Sequence, residues 1–163
     1  DRSVASLGKR TGIYHLNEQD IEKLFPNLIN SAYSITSPAS VEYNCIAWAS
    51  GDTERYWWPD SNNIGYWPDD VPREETLKAF IAVYEILGYT VCLNAGYEEG
   101  FEKAAIYVDS NGKPTHAARQ LNSGRWTSKL GKLEDIEHNT LNNLSGSQYG
   151  TVAIIMKRHK YNE

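Results

Sequence analysis

Residues 103–129 read KAAIYVDSNGKPTHAARQLNSGRWTSK, and the punctuation of this stretch decides the fold. Asn111-Gly112 is the pair a two-residue hairpin turn demands, because both residues tolerate positive φ. Segments of strand composition flank it, Lys103–Asp109 on one side and Thr115–Leu121 on the other. Asn122-Ser123-Gly124 turns the chain again into Arg125–Lys129, so the stretch predicts an antiparallel meander of three strands. Two further strands are predicted outside it, Tyr89–Leu93 before and Thr151–Lys157 after, with a short helix around Leu133–Leu144 between them.

Upstream the apolar period lengthens. Asn17 as cap, Asp20 in the third position and Ile21, Leu24 and Phe25 behind them predict a short helix that Pro26 ends. After a Ser/Pro-rich link, Ser34–Ser40, the segment Asn44–Ala49 reads as a helix start with Gly51 as its stop. A longer helix is predicted from Asp70 near its cap, through Pro72, Glu74 and Glu75, to Gly88 just beyond its end. Leu77, Phe80, Ile81, Tyr84 and Leu87 give it one apolar stripe. Between these helices, Asp52–Asp70 carries Trp57-Trp58-Pro59 and Tyr66-Trp67-Pro68, an aromatic loop long enough to wall a cleft or to pack on itself. The predicted fold class is α+β, with N-terminal helices packed on a C-terminal antiparallel sheet, as a single domain over residues 1–163.

A chain of 163 residues is long enough to bury its own core. Its formal net charge of −5 lacks the basic excess that drives nucleic-acid binding. No run approaches the roughly 20 apolar residues of a membrane-spanning helix, so neither nucleic acid nor membrane is an expected partner. Asp1–Ser6 shows no charged head leading into an apolar stretch, and a cytoplasmic location is expected. His15, His116, His138 and His159 lack zinc-ligand spacing, and Cys45 and Cys92 form no CxxC pair. No metal and no other cofactor is expected.

Cys45 falls in the first turn of a predicted helix, where unpaired amides favour negative charge and lower a thiol pKa from about 8.5. Its own backbone N–H is placed to hold an oxyanion, with Asn44 beside it. Taken alone, such a cysteine also fits the description of a small buried apolar residue. His116 supplies a base: strand alternation puts His116, Ala118 and Gln120 on one face, and the small Ala117 and Ala118 leave room beside it. A helix-start cysteine followed by a strand histidine is the ordered pair that thiol hydrolases use.

That order of elements is similar to papain-like cysteine hydrolases of the CHAP and NlpC type. Asn44-Cys45-x-x-Trp48-Ala49 resembles their nucleophile segment, and Trp126-Thr127-Ser128-Lys129-Leu130-Gly131 stands where the papain pattern carries the asparagine that orients the histidine. The resemblance implies a papain-like fold and catalysis by Cys45 and His116 through a thioester. It also implies Ser128, counted back from the glycine, as the hydroxyl that orients the imidazole; counted forward from Trp126 the position is Leu130. Gln120, Asp135 and Glu137 are alternative orienters, while His138 reads as a surface helical residue and Arg119 and Arg125 as surface charges.

The expected activity is acyl transfer from a protein or peptide substrate by a protease, amidase or protein glutamine deamidase. Such a compact thiol enzyme suits a bacterial effector or toxin delivered into a target-cell cytoplasm. Trp57, Trp58, Trp67 and Gln120 would line its cleft. The other reading is a non-catalytic module in which Cys45 is core and the loop Tyr56–Trp67 binds a peptide or a carbohydrate.

Overall fold

The structure, a computed structural model, describes residues 18–37, 44–130 and 134–160, with the backbone alone at Ser37, Cys45 and Trp48. Its strands are β1 (Ser34–Ser37), β2 (Thr90–Cys92), β3 (Phe101–Val108), β4 (Pro114–Gln120), β5 (Trp126–Lys129), β6 (Asp135–His138) and β7 (Thr151–His159). They form one sheet in the order β1-β6-β5-β4-β3-β7-β2, antiparallel throughout. The turn signals set the meander: Gly112 takes a φ of 81° and donates its amide to the Asp109 carbonyl, and Gly124, at 90°, donates to Leu121.

β3 lies inside the sheet between β4 and β7, and Ala104, Ala105, Ile106 and Tyr107 are all buried because both sheet faces are covered. On the front face Ala104, Ile106, Ala117 and Met156 pack with two helices, α2 (Cys45–Ser50) and α3 (Leu77–Ile86), and with Trp57 and Trp67. On the back face Ala105, Tyr107, Ala118, Trp126 and Ile136 pack with α1 (Glu18–Leu24) and with 3-10 turns at Pro26–Leu28 and Leu141–Leu144.

This is a β-dominated fold, which corrects the expected α+β, papain-like arrangement of N-terminal helices on a C-terminal sheet. Among the described residues the longest helix has ten residues, and short helices cover both faces of a seven-stranded sheet. Two polar tetrapeptides account for most of the difference. Asp135–His138, expected in a helix, is β6, bonded to β5 on one side and β1 on the other. Ser34–Ser37, expected in a link, is the edge strand β1. Neither has the apolar alternation that announces a strand, so the ladder beside them imposes their conformation. Helix α3 starts at Leu77 rather than near Asp70, because the Thr76 hydroxyl accepts from the Ala79 amide at 3.2 Å. The predicted cap Asn17 lies outside the described residues.

Candidate functional site

Helix α2 is capped as a first-turn cysteine requires. Asn44 Oδ1 accepts from the Ala47 amide at 3.2 Å and from the Trp57 amide at 3.0 Å, while its Nδ2 donates to the Trp57 carbonyl at 2.6 Å. Asn44 therefore ties the helix start to the aromatic loop. Ile46, Ala47 and Ala49 seat α2 on the front face, against β4 and β5.

His116 goes the other way. It pairs across the ladder with Tyr107, lies flat on Tyr149 with ring centroids 4.0 Å apart and planes 2° apart, and shares the back face with them. The sheet therefore separates the imidazole from the helix of Cys45, and the expected Cys45–His116 pair is not assembled. The physical reason is parity: Ala117, the neighbour of His116, points to α2, so His116 cannot. His116 is fully buried, and among the described residues neither ring nitrogen has a hydrogen-bond partner. Burial, reinforced by the nearby His138, drives its pKa well below the ordinary 6.5 and keeps the ring neutral.

Ser128 orients a different histidine. Its Oγ lies 2.8 Å from His138 Nε2, while His138 Nδ1 lies 3.0 Å from the Thr140 carbonyl. A carbonyl only accepts, so Nδ1 carries the proton and Nε2 accepts from the Ser128 hydroxyl. His138, expected on a helical surface, is buried in β6. Burial lowers its pKa to about 4 against the opposing bond to Thr140. This serine and histidine have the partners of a hydrolytic pair without access to solvent; they hold β5, β6 and the Thr140 turn together. Gln120 is likewise structural, donating to the Ala95 carbonyl at 2.8 Å and to Gly124 at 3.2 Å. Arg125, expected as a surface charge, bonds Glu137 at 2.6 Å and the Ala32 carbonyl.

The aromatic loop packs on itself and on α3. Trp58 and Trp67 both meet Phe80, at 5.4 and 5.1 Å between ring centroids, and Trp57 and Trp67 are buried. Arg73 pins the loop by donating to the Trp58, Asp60 and Gly65 carbonyls. Asp60 caps the tip, accepting from Ile64 and Gly65 amides at 2.9 and 2.7 Å. The tryptophans expected to face a substrate thus belong to the core layer.

Where this loop leaves α2, a groove of about 550 Å³ opens, lined by Ser50, Thr53, Glu54, Arg55, Tyr66 and Leu87 among others. Asp52 organises it. Its Oδ1 accepts from the Glu54 and Arg55 amides at 2.8 and 3.2 Å, and its Oδ2 from Arg55 Nε and Trp57 Nε1, both at 2.8 Å. Partial burial acts to raise its pKa, but these donors outweigh that and hold the carboxyl below its ordinary range. Arg55, with its side chain 52% exposed, stacks over Tyr66 at 3.8 Å from the ring centroid. Its Nη1 and Nη2 meet no carboxylate or carbonyl among the described residues. The sequence reading named the loop but not this arginine; the signal available was Asp52 three residues before Arg55, inside an aromatic segment.

Residues 34–157 match the family described as Domain of unknown function (DUF7689), a span that takes in the sheet up to Lys157 in β7, the aromatic loop and the groove. The chain belongs to that family. Comparison with curated proteins and with solved structures yields no match. Among the described residues no group of three or more His, Cys, Asp or Glu could hold a metal ion, and no helix is long and apolar enough to cross a membrane.

Proposed function

We propose that this DUF7689 domain is a binding module that recognises peptides in the groove between the end of α2, the Asp52–Arg55 turn and Tyr66. The observation that carries this reading is Arg55. Its half-exposed guanidinium is fixed by Asp52 below and by the ring and hydroxyl of Tyr66 beside it, and no carboxylate or carbonyl among the described residues takes its terminal nitrogens. A side chain already held in place loses little entropy when it binds. A carbohydrate is a poorer occupant, because sugars stack on open aromatic faces. Trp57 and Trp67 are buried here, and Arg55 covers Tyr66. Titrating a mixed-sequence hexapeptide pool into ¹⁵N-labelled protein tests the reading. The Trp57 indole N–H, bonded to Asp52, should shift saturably, while that of Trp126, buried on the back face, stays fixed. Thr53→Trp, which fills the groove, should abolish the shift. A Trp57 signal unmoved by the pool, or moved equally in Thr53→Trp, would end the proposal.

A second reading keeps Cys45 as the nucleophile of an acyl-transfer hydrolase, without His116 as its base. The docking of α2 on β4 and β5 favours it, because Lys129 is fully buried in β5 with its register on that same front face. Across the ladder Lys129 faces the buried Asp135, and a positive charge on that face would favour the thiolate form of a helix-start cysteine. Alkylation of Cys45 against pH, in a Cys92→Ser background, should then give an apparent pKa well below about 8.5 that His116→Ala leaves unchanged. A slow reaction typical of an ordinary thiol would remove this reading.

A further inference from the structure

Resting on the peptide-binding reading, we propose that the groove selects for a carboxylate, so that its ligands are peptides presenting an acidic side chain or a free C-terminus to Arg55. A guanidinium carries five N–H donors in one plane. Asp52 Oδ2 takes the Nε donor and the Tyr66 hydroxyl interacts with the guanidinium, while the remaining donors on Nη1 and Nη2 form the planar edge that a carboxylate meets with two parallel bonds. The ring of Tyr66, 3.8 Å away, fixes the orientation of that edge.

The charges around the groove decide between anion and cation. Asp52 faces four donors, two backbone amides, the Arg55 Nε and the Trp57 indole, so its lone pairs are spent within the protein. A cationic ligand would therefore find one available carboxylate, Glu54, beside a guanidinium that repels it. A carboxylate finds the guanidinium edge, with the hydroxyls of Ser50 and Thr53 in the same groove. Glu54 then acts as a brake: it forms no ion pair with Arg55, and its charge weakens anion binding without occupying the site.

The test is a nuclear magnetic resonance titration of the labelled protein with four small probes, up to about 50 mM because single contacts bind weakly. N-acetylglycine stands for a C-terminal carboxylate and N-acetylglutamate amide for an acidic side chain; N-acetylglutamine amide and N-acetyllysine amide are the neutral and cationic counterparts. Saturable shifts of the Arg55 Nε–H and the Trp57 indole are expected for a carboxylate probe, at least about tenfold tighter than for the glutamine probe. The tighter of the two carboxylates identifies the source. Arg55→Gln should erase the preference, Arg55→Lys should retain only part of it, and Glu54→Gln should tighten carboxylate binding by about threefold. An unchanged Trp126 indole reports that each variant is folded. Equal binding of the glutamine probe, tighter binding of the lysine probe, or a preference that survives Arg55→Gln overturns the proposal. If the hexapeptide pool still moves Trp57 while the four probes do not differ, the peptide reading stands and carboxylate selection falls. If neither pool nor probe moves it, both fall.

Discussion

Lowering the pH from about 7.5 to about 5 should destabilise this fold through its back face, well before its carboxylates titrate. His138 is buried with a pKa of about 4 against an ordinary 6.5. Below 6.5 the unfolded chain takes up a proton that the folded imidazole refuses. Stability is therefore fully present above the unfolded value and is lost as pH falls toward the folded one. For this histidine alone the loss at pH 5 is about 2 kcal/mol. His116 adds to it in the same direction, since its pKa is also lowered by burial and neither nitrogen has a partner among the described residues to share an added proton. Asp52, Asp60, Glu75 and Glu98 are held below their ordinary values, so their contribution is lost only below about pH 4.5 and leaves the window clear. Urea unfolding followed by tryptophan fluorescence at the two pH values measures the difference. In His138→Gln, whose amide oxygen can still accept from Ser128, the pH dependence should shrink while the overall stability falls. Wild-type stability constant to within about 0.5 kcal/mol across the window, or a slope unchanged in both His138→Gln and His116→Gln, would show that these histidines do not set the pH dependence.

Gly150 holds a φ of 78°, and an added Cβ would lie 1.9 Å from the Val108 carbonyl oxygen; Gly150→Ala should cost about 3 kcal/mol or more in urea unfolding. Asn44→Ala removes both the α2 cap and the bonds to the Trp57 backbone, and a loss of about 2 kcal/mol is expected, with faster exchange of the Trp57 amide. Tyr107→Phe leaves the Leu141 carbonyl, which accepts from the buried hydroxyl, without its donor, for a loss of about 1–2 kcal/mol in the same assay.

The hairpins of residues 101–129 are legible in the sequence because turn chemistry and strand composition agree there: Gly112 and Gly124 sit at positive φ where Asn111-Gly112 and Asn122-Ser123-Gly124 announce turns. β1 and β6 are not, because Ser-Ile-Thr-Ser and Asp-Ile-Glu-His each hold one apolar residue, and their strand state comes from the ladder they join. Alternation puts His116, Ala118 and Gln120 on one face, but nothing local says which face α2 will cover; a single step of register separates a dyad from two unrelated residues. The groove was hidden for a related reason. Asp52 and Arg55 look like an ordinary surface pair until the fold stacks Tyr66 on one of them and bonds Trp57 to the other.

The position of β7 bears on how the chain is made. Among the described strands β2 has one neighbour, and its register sets Thr90 against Lys157. At about 5–20 residues per second of synthesis, β2 waits on the order of several seconds for its partner to be translated. Val91 and Leu93 are exposed even in the finished fold. During that interval they are the side chains on which a chaperone, or a neighbouring nascent chain, would act first.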